Sequence, residues 1–155
     1  MQSHVDSNSE EIIQFLGKVD KELNNSDILL DTIGNALENE IHNSFETHST
    51  PDGKPWSPIK STSVRKYNQD RSKILEDQGT LSGSIYHQVE GDTVTIGVNA
   101  VANGFEYGLS HQWGSESRNI EQREFMPIHE DGTLYSDTEQ MIVDVLEEWA
   151  DNVLK

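Results

Sequence analysis

Between residues 85 and 98 the chain switches to a period of two, and that switch constrains its architecture more than any other feature. Ile85, His87 and Val89 alternate with polar residues, Gly91-Asp92 follows, and Val94, Ile96 and Val98 alternate again. A two-residue turn at Gly91-Asp92 pairs Val89 with Val94, His87 with Ile96 and Ile85 with Val98, which puts every large aliphatic of the hairpin on one face. A hairpin unit over 81–99 is therefore expected.

The flanking segments follow the helical period instead. Ser7 and Glu10 have capping-box spacing, and Ile12, Leu16, Val19 and Leu23 recur on one side, which predicts a helix over 7–24. After Asn24-Asn25-Ser26, the series Leu29, Ile33, Leu37, Ile41, Phe45 predicts a second helix, with Ala36 on the same side. Thr50-Pro51-Asp52-Gly53 ends it by turn chemistry, and Lys54-Pro55-Trp56-Ser57-Pro58 is too rich in proline for regular structure. The stretch 50–80 thus reads as an extended proline-rich and basic loop. Within it, Ser61-Thr62-Ser63 offers N-cap hydroxyls to a short helix over Val64–Tyr67, with loop over 68–73.

Residues 101–113 are predicted as a further helix stopped at Gly114, 115–122 as loop, and Arg123-Glu124-Phe125-Met126 as a short strand before Pro127. A last helix over 136–154, capped by Ser136 or Asp137, carries Met141, Ile142, Val145, Trp149 and Val153 against an acidic face. Helices, hairpin, helix, strand, helix is the order of an α+β fold: a small antiparallel sheet built on a central β-hairpin, packed by two N-terminal helices, a middle helix and a C-terminal helix. With 155 residues, 1–155 is expected to form one domain.

Charge narrows the partners. The formal net charge is −17, the wrong sign for nonspecific binding to a phosphate backbone. The acid is concentrated at the ends: residues 1–46 hold ten acids and two bases, and residues 129–155 hold eight acids and one base. Between them, Lys54, Lys60, Arg65, Lys66, Arg71 and Lys73 are opposed only by Asp70, so 54–73 is locally +5. Three readings fit this partition: a solvated acidic surface suited to salt, a self-associating subunit whose basic loop meets a neighbour's acidic helices, and a DNA-mimicking or DNA-repelling face. Lys54, Trp56, Lys60, Arg65, Lys66, Arg71 and Lys73 are the candidate subunit-interface residues. The chain has no cysteine, which excludes disulfides, thiolate metal sites and a cysteine nucleophile and fits a reducing compartment. No apolar run of membrane length and no basic-then-apolar leader occurs, so a soluble, intracellular protein without membrane partners is expected.

The search for chemistry finds no catalytic, cofactor or metal residues to assign. His42 and Glu46 are i, i+4 neighbours on a polar helix face, and with His48 they read as that rather than as metal ligands. Gly108-Leu109-Ser110-His111-Gln112 lacks the closing glycine of a nucleophile elbow and does not follow a strand. His87 lies among aliphatics and reads as a hydrogen-bonded core or interface histidine. Adjacent carboxylates such as Glu10-Glu11 and Glu147-Glu148 point to different sides of a helix. A non-enzyme without cofactors is expected.

Read together, Pro51-Asp52-Gly53-Lys54-Pro55-Trp56, Thr62, Lys66, Leu75 through Gly79, Leu81 and Ser84-Ile85, then His111-Gln112-Trp113-Gly114 and Arg123-Glu124-Phe125-Met126 form an ordered motif set. It resembles the phage virion-morphogenesis family, the Mu-like tail-completion proteins, over roughly residues 20–150, with the acidic N-terminal helix outside. Where that family usually has Ala and Pro, this chain has Gly108 and Glu124. The resemblance implies structural roles for Gly53, Gly79, Leu81, His111, Gln112, Gly114, Arg123 and Phe125. It also implies a structural phage protein that completes the tail or joins head to tail, as a ring-forming homo-oligomer. Its expected partners are other neck and tail proteins and genome DNA passing the lumen without specific binding. Its expected place is the neck or tail end of the virion, and the host cytoplasm during assembly. The competing expectation is an acidic DNA-mimic inhibitor of a DNA-binding enzyme.

Overall fold

A computed structural model describes residues 8–59, 74–75 and 79–155. Helix α1 spans Asn8–Leu23 and α2 spans Asp27–Thr47, matching the two N-terminal helical periods. Ser7, the expected cap of α1, and the expected helix over Val64–Tyr67 lie outside the described residues. Ser26 precedes α2 in a helical conformation without a side-chain cap. The helix stops at His48, whose φ of 52° is left-handed and whose N–H donates to the Ser44 carbonyl, a C-terminal turn that closes one of the free carbonyls.

From there the chain makes a tight tongue rather than an open loop. Thr50 N–H donates to the Lys54 carbonyl at 2.8 Å, Lys54 N–H returns to Thr50 Oγ1 at 2.9 Å, and Gly53 takes a φ of 83° at the tip. Trp56 N–H then donates to the His48 carbonyl at 2.8 Å, fixing the exit of the tongue against the end of α2.

Strands β1 (Ile85–Glu90) and β2 (Thr93–Val98) form the hairpin in the expected register, with Ile85 opposite Val98, His87 opposite Ile96 and Val89 opposite Val94. A 3₁₀ turn over Ser82–Ser84 leads into it, started by Gly79 at a φ of 70°. The hairpin lies against α2, whose other flank meets α4 (Ser136–Leu154). Ile41 and Phe45 of α2, Trp56, Leu81, Ile85, Ala100 and Phe125 make the core, with Ile96, Val98, Tyr107 and Met126 packed on it. The fold is α+β.

Three local expectations are corrected. Residues 101–106 are not helical: β3 (Val101–Ala102) and β4 (Phe105–Glu106) pair across Asn103-Gly104, and α3 is only Tyr107–Trp113. Asn103 and Gly104 both take positive φ, 52° and 75°, the geometry an Asn-Gly hairpin turn requires. Residues 123–126 form no strand, because their backbone donors are taken elsewhere: Arg123 N–H goes to the His111 carbonyl at 2.7 Å, and Phe125 and Met126 N–H go to the Gln112 side chain. Finally, Ser136 is the first residue of α4 and extended Tyr135 holds the cap position, with no side-chain cap.

Candidate functional site

Of the described motif residues, Trp56, Gln112, Arg123 and Phe125 meet where the tongue, the end of α3 and the 121–128 segment come together. The centre is aromatic. Phe45 stands edge-on to Trp56 with ring centroids 5.6 Å apart and lies 5.2 Å from Phe125, separations at which ring pairs attract beyond their burial. Phe125 is wholly buried.

Polar side chains stitch the loops around this centre. Trp56 Nε1 donates to the Glu124 carbonyl at 2.8 Å. Gln112, also wholly buried, accepts from Phe125 N–H and Met126 N–H through one oxygen, both at 2.9 Å, and its amide faces the Met126 and Ile128 carbonyls at 3.5 and 3.4 Å. One glutamine thus stands in for a missing strand neighbour, satisfying backbone groups that would otherwise be buried without partners.

Arg123 performs the same service for the tongue exit: its Nε donates to the Ser57 carbonyl at 3.0 Å and its Nη2 to Pro58 at 3.3 Å, with Glu121 at 3.4 Å. Burial lowers the Arg123 pKa and Glu121 opposes that, but a guanidinium starts so far above neutrality that it stays charged. Gly114, at a φ of 75°, turns the chain out of α3, and an added Cβ would sit 3.2 Å from the Gln122 nitrogen. Gly108 lies so close that a Cβ would come 3.2 Å from Val98 and 3.3 Å from Leu81.

Glu124 anchors the start of α4. Tyr135 donates its hydroxyl to the Glu124 carboxylate, and its ring lies 3.9 Å from that of His129. Burial, reinforced by the bond to Glu124, pushes the Tyr135 hydroxyl well above its ordinary pKa. Further along, Thr138 Oγ1 donates to Glu40 Oε1 at 2.6 Å and ties α4 to α2. Burial raises the Glu40 pKa, the Thr138 bond lowers it, and Asp137 raises it again.

A second polar cluster joins the hairpin to α2. His87 Nδ1 faces Glu38 Oε1 at 2.6 Å and its Nε2 faces Asp31 Oδ1 at 2.9 Å. Neutral imidazole has one donor, so only the protonated ring donates to both carboxylates. The bond to Asp31, then that to Glu38, accordingly raises the His87 pKa. The ring fits because Gly34 lies beneath it: a Cβ there would be 2.2 Å from the imidazole. The histidine was legible as a bonded residue, but its seat was not. The only available signal is the spacing Asp31, Gly34, Glu38 on one face of α2.

The expected interface residues divide. Lys54 is exposed on the tongue, whereas Trp56 is buried in the protomer core and acts as packing. Lys60, Arg65, Lys66, Arg71 and Lys73 lie outside the described residues. Gly53, Gly79, Leu81, Gln112, Gly114, Arg123 and Phe125 occupy turn, core or staple positions, and His111 supplies the carbonyl that holds Arg123 N–H. Among the described residues, no group of three His, Asp or Glu side chains is placed to hold a metal, and no helix is long and apolar enough to cross a membrane.

The profile of the phage virion morphogenesis family matches residues 7–150, so the match takes in α1 as well as the motif junction. No curated protein and no solved structure matches the chain.

Proposed function

The chain belongs to the phage virion morphogenesis family, and on that premise we propose that it is a non-catalytic subunit that completes the tail or joins head to tail as a closed ring of identical copies. The observation that carries this reading is how the family motifs are used. Gln112, Arg123 and Trp56 direct their polar atoms at backbone groups of their own chain. A site built to turn over a substrate keeps such groups aimed at open space; here they hold loops in place.

The charge partition fits the same role. A basic segment over 54–73 between acidic ends lets the loop of one copy meet acidic helices of the next, while remaining acidic surface facing the lumen repels the genome and lets it slide. Reversing Lys60, Arg65, Lys66 and Arg71 to Glu weakens assembly more at low salt than at high salt, since salt screens attraction between opposite charges; unchanged assembly at low salt removes that contact from the proposal. The role itself is tested by micrographs of particles made without this protein. Complete but unjoined heads and tails, or tails of unfinished length, support it. Normal infectious particles refute it.

A further inference from the structure

The N-terminal helix has an apolar face that the described residues of its own protomer leave uncovered. Ile12 is 56% exposed, Ile13 67%, Phe15 42%, Leu16 57% and Leu23 58%, and Ile12, Leu16 and Leu23 share one stripe with Val19. α1 meets α4, and Val19 and Glu22 are its half-buried positions; the rest of the stripe faces solvent. A helix of 16 residues is marginal in water by itself, because most helical stability in proteins comes from packing the apolar face.

We propose that a second copy of this chain covers the stripe, by antiparallel pairing of α1 with its own equivalent. Area supports a copy of α1 as the occupant. The five side chains expose on the order of 500 Å² per copy, so two copies bring together about 1,000 Å², which with its polar rim reaches the lower range of specific interfaces.

Charge sets the direction. Glu10 and Glu11 lie in the first turn with no base beside them, while toward the other end Lys18 and Lys21 balance Asp20 and Glu22. A parallel pair sets Glu11 beside Glu11 and Lys18 beside Lys18. An antiparallel pair moves the two acidic first turns apart, sets each against the charge-balanced end that carries Lys18 and Lys21, and opposes the two helix dipoles. Such a contact is isologous: it joins two protomers and closes on itself, so it is distinct from the head-to-tail contact that closes a ring.

Because the chain has no cysteine, single introduced cysteines test this in the full-length protein. Leu16→Cys lies near the two-fold axis of the proposed pair, and Leu109→Cys, on α3 and 48% exposed, reports random collision. Under mild oxidation L16C forms covalent dimer at least tenfold faster than L109C. Sedimentation adds an independent reading: Leu16→Glu removes a two-fold step in mass that the wild type shows with rising concentration. Equal crosslinking rates, or an L16E protein that associates like wild type, overturns the pairing. The ring reading has a separate outcome: a wild type that pairs through α1 but never closes a ring leaves this inference standing and refutes that one.

Discussion

The motif junction and the N-terminal helix solve opposite problems. At the junction polar residues are inside: Gln112 and Thr138 are wholly buried and Arg123 nearly so, each bonded to a group of the same chain. Along α1 apolar residues are outside, with Ile12, Ile13 and Leu16 all more than half exposed. The described residues of one protomer satisfy each of these buried polar groups, but they leave the apolar stripe of α1 exposed. The junction is therefore complete in one copy, whereas α1 presents the stripe that the proposed pairing covers.

The largest effect that separates the two regions is expected from Phe125→Ala. It leaves a void beside Phe45 and Trp56, and truncating a wholly buried phenylalanine costs about 3–5 kcal/mol, read as a fall in the denaturant midpoint at unchanged slope. Next comes Gln112→Met, which keeps the volume but strands the N–H groups of Phe125 and Met126. Two buried unpaired donors cost about 2–5 kcal/mol, and a loss under 1 kcal/mol would mean that water reaches them and the junction is not closed.

Gly34→Ala is smaller, because alanine favours a helix interior by about 1 kcal/mol while the new Cβ expels the His87 ring; a net loss of about 1 kcal/mol is expected. Its signature is pH. The folded His87 pKa is raised above its unfolded value, so the stability it contributes is full below the unfolded pKa of about 6.5 and is lost as pH rises through the raised folded value. Urea midpoints of the wild type should fall across that window, and Gly34→Ala or His87→Gln should flatten the fall. An identical slope in all three proteins would exclude the clamp. Asp31 is mostly exposed, so its share of the effect should shrink in salt.

The smallest effect on the protomer is expected from Leu16→Glu. An exposed helix position changes stability by no more than about 0.5 kcal/mol, yet this substitution is the one expected to change self-association. If L16E unfolded the monomer as Phe125→Ala does, α1 would belong to the core and the contrast between the two regions would vanish.

What could be read beforehand was local and periodic. The hairpin register followed from two apolar alternations around Gly91-Asp92, and α2 from a four-residue apolar repeat, because each rests on a face that must be buried. Residues 101–106 read as helix in the sequence although Asn103-Gly104 is a strong hairpin signal. Their strands are only two residues long, too short to show alternation. The strand expected at 123–126 fails for a different reason: Phe125 is buried in the core, but a glutamine side chain replaces the neighbouring strand. The motifs gave their order along the chain but not their meeting. Trp56 reaches Glu124 across 68 residues and Arg123 reaches Ser57 across 66, distances at which no spacing rule operates. The α1 stripe is legible as a stripe, and only the fold reveals that the described residues leave it exposed.

Native mass spectrometry of the purified wild type, across protein concentration and from low to high salt, tests most directly whether this protein works by fitting copies of itself together. A closed oligomer whose charge-based ring contact dissociates as salt rises, leaving the apolar α1 pairing in place, is the expected spectrum. A monomer at every concentration and ionic strength would contradict the account.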